Sequence, residues 1–436
     1  MDETIFDVAV IGLGYIGLPT AASFAAKGKR VAGVDVKQST IDAVNRGEVP
    51  FVEPDMGVVV SGAVSLGNLV AMSTVPAADA FIIAVPTPLA EGNGADLSYL
   101  RSALEALAPK LRGGELVVLE STSPPGTTDR LGAYLTELRP DLSLEAGPGL
   151  NHVHVVHSPE RVLPGRIMVE MVTNDRVIGG LTEEGAQLAK RLYEVICQGQ
   201  ILVTDATTAE MTKLVENTFR DVNIAFANEL SLICDNLGID VWKLIELANH
   251  HPRVNVLRPG PGVGGHCIAV DPWFIVDAVP EHSVLIRTAR EVNDAKPHHV
   301  VRQAVEALAD QPGATVAVLG LAFKANIDDV RESPSVTIVQ ELVRQLPEST
   351  ILVVDPNVEE LPTALAASGL SVLHGMEEAV AAADLVMLLV DHDEFLALDS
   401  VALEGKQVID TKGIWNQQEP SEPNRLHAPV GASVSG

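Results

Sequence analysis

The stretch Phe6–Asp–Val–Ala–Val–Ile–Gly–Leu–Gly–Tyr–Ile–Gly17 decides how the rest of the chain is read. Residues 7–11 read as a buried parallel strand, since apolar side chains follow one another without alternation. Gly12, Gly14 and Gly17 come next, and a helical pattern then runs from Leu18 to Lys27. Gly-x-Gly-x-x-Gly is common by itself, and a tight turn without a ligand is its plain reading. The setting makes it specific: a strand precedes, a helix follows, and Asp35 closes the strand Arg30–Val–Ala–Gly–Val–Asp35, 23 residues after Gly12. An acid at that place accepts from the adenosine ribose 2′-hydroxyl, which favours NAD over NADP. The pyrophosphate belongs on the N-terminus of the following helix, where free peptide N–H groups attract anions.

Strand and helix patterns continue to alternate through Ala80–Phe–Ile–Ile–Ala–Val85, Glu115–Leu–Val–Val–Leu119 and His154–Val–Val–His157. Near Thr207 the rhythm changes. Residues 208–237 contain neither Gly nor Pro and read as one long helix, with Thr207 and Glu210 as its capping box. Helical text continues to about residue 310, interrupted by a glycine loop. After Gln311–Pro–Gly313 the first rhythm returns: Ala314–Thr–Val–Ala–Val–Leu–Gly320 echoes Phe6 to Gly12, and Ile351–Leu–Val–Val–Asp355 echoes Val31 to Asp35. Ala383–Asp–Leu–Val–Met–Leu–Leu–Val390 likewise echoes residues 78–85. The fold expected is α/β, with two Rossmann-like doubly wound domains joined by a central helical segment. The boundaries are 1–205, 206–310 and 311–416, followed by a polar, proline-bearing tail at 417–436 that reads as disordered.

At 436 residues, 47% hydrophobic and 20% charged, the chain has the composition of a multidomain globular protein. Acidic residues outnumber basic ones by 58 to 30, a net charge of −28, which excludes nucleic acid and anionic membranes as partners. Phosphates must therefore be held locally, by helix N-termini, peptide N–H groups and a few Lys or Arg. Three cysteines, Cys197, Cys234 and Cys267, are too few and too scattered for a disulfide framework or a zinc site. No metal is called for. A reducing cytoplasm is expected, because neither a signal peptide nor an apolar stretch of spanning length is visible.

Two of the cysteines, Cys197 and Cys234, sit in apolar text and read as packing residues. Cys267 does not. It lies in Gly260–Pro–Gly–Val–Gly–Gly–His–Cys–Ile–Ala–Val–Asp–Pro272, behind glycines 260, 262, 264 and 265 and four positions before Asp271. Glycines let the backbone turn sharply and let another molecule come close. A thiol beside a hydride acceptor suggests oxidation through a covalent thioester, although its free pKa of about 8.5 leaves little thiolate at neutral pH without help. Lys213 and Asn217, four apart on the long helix, share a face; they read equally as an oxyanion site or as a solvated polar stripe. Asp271 would orient a water or act as a base. His266 is left without a role, because sequence neighbours point apart. Two loops that follow strands, Glu120–Ser–Thr–Ser–Pro–Pro–Gly126 and Ser158–Pro–Glu–Arg161, lie where ligands of α/β sheets collect. In the second repeat, Gly320–Leu–Ala–Phe–Lys–Ala–Asn–Ile–Asp–Asp–Val–Arg331 replaces the fingerprint, and Lys324 and Arg331 suit a second nucleotide's phosphates.

Over residues 5–415 these pieces together resemble the UDP-glucose/GDP-mannose dehydrogenase family. The motifs that carry the resemblance are the Gly12–Gly17 fingerprint, Val85–Pro–Thr87, Ser121–Thr122, Ser158–Pro–Glu160, Lys213-x-x-x-Asn217, Gly264–Gly–His–Cys267 with Asp271, and Phe323–Lys324 through Arg331. The resemblance implies oxidation of a nucleotide sugar's C6 alcohol to a carboxylate with two NAD⁺. It implies that Gly12, Gly14, Tyr15, Ile16, Gly17, Asp35, Pro86, Thr87 and Thr122 meet NAD, with Arg331 reaching cofactor or substrate from the second α/β domain. Cys267 would be the nucleophile, Lys213 and Asn217 the oxyanion partners, Asp271 and Thr122 the holders of a catalytic water, and Glu160 the group that assists thioester hydrolysis. The UDP-sugar would be met by Glu160, Arg161, Lys213, Asn217, Arg220, Arg253, Gly264 and Lys324. The resemblance also implies pairing through the long central helix, and with it a homodimer or a higher homo-oligomer.

Within the family, the likeness is greatest to its UDP-N-acetyl-D-mannosamine branch, through the text from Ser158 to Glu170, the run from Arg220 to Glu229, His251–Pro–Arg253, and the residues from Cys267 to Phe274. The UDP-glucose branch has a second glutamate shortly after Ser–Pro–Glu, where this chain has Pro164. UDP-N-acetylglucosamine and UDP-glucose stand as alternative substrates. A two-electron hydroxyacid dehydrogenase needs neither Cys267 nor a second α/β domain, and a non-catalytic NAD-binding scaffold needs no such cysteine loop.

Overall fold

The computed structural model describes residues 5–51, 53–145, 151–163, 165–265, 267–370 and 372–415. The tail from Gln417, His266 and Pro164 lie outside them. The chain divides into two compact units, Met1–Arg220 with Val270–Arg287, and Asp221–Ala269 with Thr288–Gly436. No helix among the described residues is long and apolar enough to cross a membrane.

The first unit is built on an eight-stranded sheet. Its strands are β1 (Phe6–Ile11), β2 (Val31–Val34), β3 (Leu69–Met72), β4 (Ala78–Ile83), β5 (Leu116–Leu119), β6 (His154–His157), β7 (Arg176–Gly180) and β8 (Ile201–Asp205), in the order 8-7-6-5-4-1-2-3. Strands β1 to β6 are parallel, whereas β7 meets β6 antiparallel and β8 runs with β7. Apolar text without alternation is explained by burial on both faces: Val8 and Val10 enter one core, and Ala9 and Ile11 the other. The order reverses between β1 and β4, so the crevice at their carboxyl ends is the ligand-binding switch point of this topology.

In the second unit, four parallel strands repeat the plan. They are β9 (Thr315–Leu319), β10 (Thr350–Val354), β11 (Leu385–Leu388) and β12 (Gln407–Asp410), in the order 10-9-11-12. The two α/β sheets and the helices between them are the architecture expected from the repeated text.

Helix α1 (Gly17–Ala26) follows the fingerprint, α2 (Thr127–Leu138) follows β5, and α3 (Glu183–Tyr193) leads towards β8. The long helix α4 spans Ala206–Leu237, followed by α5 (Asp271–Ala278) and α6 (Val284–Ala307). Its start differs from the sequence expectation. Asp205 is the cap: its carboxylate accepts from the Thr208 amide at 2.8 Å and the Thr208 hydroxyl at 2.6 Å. Glu210 leaves its own helix and caps α2 instead, accepting from the amides of Gly126 (2.5 Å) and Thr128 (2.7 Å) and from the Thr128 hydroxyl (2.6 Å). An anionic acceptor at a helix N-terminus satisfies orphan N–H groups and the macrodipole at once. Glu210 is fully buried, so its removal leaves those donors dry and unpaired. Glu210→Ala is expected to cost the first unit about 2 kcal/mol or more in urea denaturation; an unchanged midpoint would refute this role.

Candidate active site

The fingerprint glycines have three different physical reasons. Gly12 has φ +95°, and a Cβ there would stand 2.5 Å from the Ala84 carbonyl oxygen. At Gly17 a Cβ would stand 1.8 Å from the Gly12 carbonyl oxygen, so the helix can begin against the strand end only without a side chain. Gly14 is the opposite case: a Cβ would meet no atom within 4 Å. The fold does not need glycine there, but the space it leaves in front of the helix N-terminus is what a pyrophosphate requires. Asp35 stands just past β2, with its carboxylate held by the amides of Leu13 (2.9 Å) and Lys37 (2.8 Å). Tyr15 stacks on Phe51 with ring centroids 4.3 Å apart, and Ile16 beside it is half-buried. These residues fit an adenine dinucleotide.

The loops after β4 and β5 are tied together. Thr87 donates to the Thr122 carbonyl at 2.6 Å, and the Ser121 hydroxyl donates to the Val85 carbonyl at 2.7 Å. Pro86 beside them is exposed. Thr122 and Thr87 thus belong to one rim at the carboxyl ends of the central strands.

Lys213, Asn217 and Asp271 come together, as the spacing on α4 predicts for the first two. Asn217 donates its amide to Asp271 at 2.5 Å. Asp271, the first residue of α5, is 3% exposed. Burial pushes its carboxyl up to about 6, against the pull of the Lys213 charge and the Asn217 hydrogen bond. An ammonium, an amide and a carboxyl whose proton is exchangeable near neutrality can stabilise an oxyanion and take a proton from water.

Glu160 has a tighter setting than its motif suggests. Its Oε2 accepts from the Arg176 guanidinium at 2.5 Å and its Oε1 from the Arg161 amide at 2.8 Å. The Arg161 side chain turns to Glu216 at 2.5 Å and to the Asp175 carbonyl. Glu120 completes the group: Thr20 and Tyr193 hydroxyls each donate to it at 2.9 Å, and Arg176 approaches it at 3.6 Å. Burial first, and the Glu160 charge second, raise Glu120 to about 7. Arg176 and Tyr193 escape sequence reasoning, because a charge opening a strand and a tyrosine closing a helix carry no motif. Arg220, at the end of the first unit, is exposed.

In the second unit, Cys267 is exposed, whereas Cys197 and Cys234 are buried. Three of the four glycines before it are crowded by the chain itself, whereas a Cβ on Gly260 would meet nothing within 4 Å. A Cβ on Gly264 would stand 2.6 Å from the Glu332 carbonyl oxygen and 2.9 Å from Phe323 Cβ, and Gly265, with φ +84°, lies against the Phe323 ring. The loop is therefore packed on the segment that carries Lys324 and Arg331. Lys324 and Arg253 are exposed, and Arg331 makes a bidentate pair with Asp329 at 2.8 and 2.6 Å. Asp355 repeats the role of Asp35, accepting from the amides of Leu321 (2.7 Å) and Ala322 (3.0 Å).

A dinucleotide turn, a second α/β unit of the same plan, and a Lys–Asn–Asp cluster define a nucleotide-dependent dehydrogenase. The chain belongs to the UDP-glucose/GDP-mannose dehydrogenase family, matching its NAD binding domain at residues 6–197, its central domain at 207–295 and its UDP binding domain at 317–417. It is an NAD-dependent UDP-sugar dehydrogenase. It is 54% identical over 410 residues to an NDP-N-acetyl-D-galactosaminuronic acid dehydrogenase of Ralstonia nicotianae, covering 94% of this chain and 96% of that one. It is 54% identical over 417 residues to a UDP-N-acetyl-D-mannosamine dehydrogenase of Salmonella typhi, covering 94% and 99%. A solved UDP-D-ManNAc dehydrogenase from Pyrococcus horikoshii is 39% identical and superposes with a TM-score of 0.83 over 96% of this chain and 97% of that one.

The glycine geometry separates folding from binding. Gly14→Ala is expected to keep the melting temperature and weaken NAD⁺ binding about tenfold or more, whereas Gly17→Ala lowers the melting temperature itself. Equal effects of the two on NAD⁺ affinity, with no change in melting, would contradict this division.

Proposed function

We propose that this enzyme oxidises the C6 alcohol of UDP-N-acetyl-D-mannosamine to the uronate, using Cys267 as a covalent nucleophile. The convergence of Lys213, Asn217 and Asp271 carries the reading, because it sets groups suited to a thiohemiacetal oxyanion beside a carboxyl that can take a proton from a hydrolytic water. The overall balance is alcohol, water and two NAD⁺ giving carboxylate, two NADH and three protons. NAD⁺, when bound, takes one hydride at each oxidation.

The chain's own residues do the rest. The Gly12–Gly17 turn with Tyr15 and Ile16 receives the pyrophosphate end, Asp35 the ribose, and Pro86, Thr87 and Thr122 the reactive end. The Cys267 thiolate adds to the C6 aldehyde and forms a thiohemiacetal, whose oxyanion is met by Lys213 and Asn217. Loss of the second hydride leaves a thioester. Asp271, largely ionised above pH 6, takes a proton from the water that cleaves it, with Thr122 positioning that water and Glu160 assisting. Arg161, Arg220, Arg253, Gly264 and Lys324 are assigned to the UDP-sugar, and Arg331 to cofactor or substrate. The assignment gives residues 1–205 to NAD, 206–310 to pairing and the cysteine loop, and 311–416 to UDP.

The 54% identity to a UDP-N-acetyl-D-mannosamine dehydrogenase supports the manno sugar. An equal identity to a relative named for an N-acetyl-D-galactosaminuronic acid supports a second reading, the galacto sugar, which differs from the manno sugar at both C2 and C4. Such closely related sugars are told apart by a few pocket contacts, so rates on UDP-N-acetylmannosamine, -galactosamine, -glucosamine and UDP-glucose decide. We expect the manno sugar to have the highest kcat/KM, and two NADH per sugar at completion. One NADH per sugar, or a Cys267→Ser variant that still makes acid at the normal rate, would sink the covalent route.

The same reading makes the protein a cytoplasmic homo-oligomer paired through α4, acting in polysaccharide biosynthesis. Along that helix Val215, Phe219, Phe226, Ile233 and Leu237 repeat every four or seven residues and stay 47–70% exposed. An apolar stripe of this spacing is what a partner helix covers. Light scattering is expected to give a dimer or larger for the native chain and a smaller species for Phe226→Glu; a native monomer would exclude pairing.

A further inference from the structure

Two carboxylates and one guanidinium share a dry site in the first unit. Glu120 follows β5, Glu160 follows β6, and Arg176 opens β7; they are 2%, 8% and 4% exposed. Tyr193 closes α3 and Thr20 lies in the first turns of α1, and both bond to Glu120. The Ser158 hydroxyl accepts from Arg176 at 3.4 Å, and the Arg161 amide donates to Glu160 at 2.8 Å. Two ionised carboxylates beside one arginine would leave a net buried charge, which interiors do not tolerate, so one carboxyl must keep its proton.

The distances say which one does. Arg176 gives Glu160 a 2.5 Å charge-assisted bond, but stands 3.6 Å from Glu120. The partners of Glu120 are hydroxyls, which accept from a protonated carboxyl as readily as they donate to a carboxylate. Glu120 is also the member pushed up to about 7. Arg176 is held in place from its face as well, with its guanidinium 4.5 Å from the Tyr193 ring centre.

We propose that Glu120 and Arg176 are positioning residues for Glu160: Arg176 gives its charge to Glu160 and orients it, while Glu120 holds the proton that the pair must share. Glu160 Oε2 is taken by Arg176, and Oε1, bonded to the Arg161 amide, keeps a lone pair for a water. The proposal rests on the assignment of Glu160 to thioester hydrolysis. When Glu120 loses its proton above neutrality, its charge competes for Arg176 and Glu160 loses its fixed orientation. Because Thr20 belongs to the helix that begins at Gly17, the device links the cofactor turn to the hydrolytic side of the site.

The test uses the full enzyme with NAD⁺ and UDP-N-acetylmannosamine. Arg176→Gln is expected to give a burst of two NADH per site followed by turnover slowed about tenfold or more, with the KM for NAD⁺ nearly unchanged and partial rescue by Arg176→Lys. Glu160→Gln serves as the reference. A burst in Glu160→Gln but none in Arg176→Gln overturns the positioning role alone; no burst in either removes the hydrolytic role of Glu160 on which it rests. Infrared difference spectroscopy needs no turnover and decides if Arg176→Gln fails to fold. A protonated-carboxyl band that titrates near pH 7 should vanish in Glu120→Gln, and in Glu160→Gln should remain but titrate at lower pH, because the Glu160 charge no longer raises it. The reverse, or no such band in the native enzyme, overturns the proposal.

Discussion

Everything on the cofactor side depends on one steric exclusion: the Gly12 carbonyl oxygen occupies the place where a side chain at position 17 would begin. Only because that place is empty can α1 start directly against the end of β1. The contact turns free N–H groups of the helix towards the crevice at the sheet's switch point. For a chain of net charge −28, this is how a dinucleotide's phosphates are met, by backbone rather than by a basic surface. The same helix start fixes Thr20, and through Thr20 the buried Glu120.

Burial sets the chemistry of the acids. Glu120 and Asp271 are ordinary carboxyls carried to about 7 and about 6 by removal from water, each partly restrained by a cation or by hydrogen-bond donors. The linkage has a cost. A carboxyl raised above its unfolded value stabilises the fold fully only at low pH, and that contribution fades as pH rises through the folded value. The fold therefore gives up stability near neutrality at these two buried carboxyls.

What was legible in the sequence was local or periodic. The strand–glycine–helix text, the repeated α/β rhythm and the pairing of Lys213 with Asn217 each depend on neighbours within one element, and the structure has them. Asp271 joins that pair across 54 residues, yet stood out because it closes a motif. The contacts that escaped have no periodic signal. Glu210 looks like half of a capping box, but two amides and a hydroxyl at the start of a second helix, Thr128 lying 82 residues earlier, take its carboxylate. Arg176 opens a strand as a single charge, and only the fold shows two carboxylates beside it. The glycines before Cys267 suggested room for a ligand, whereas two of them make room for Phe323 and the Glu332 carbonyl. A glycine signals close approach, but the sequence does not say by what.

The central claim is covalent catalysis by one exposed cysteine among three. Rapid acid quench during turnover, followed by digestion and mass spectrometry, reads it directly. The account expects an adduct with the mass of the oxidised UDP-sugar acyl group on the peptide containing Cys267, accumulating further when Glu160 is replaced by Gln. Full turnover with every Cys267 peptide unmodified at all quench times, in that variant as well as in the native enzyme, would contradict it.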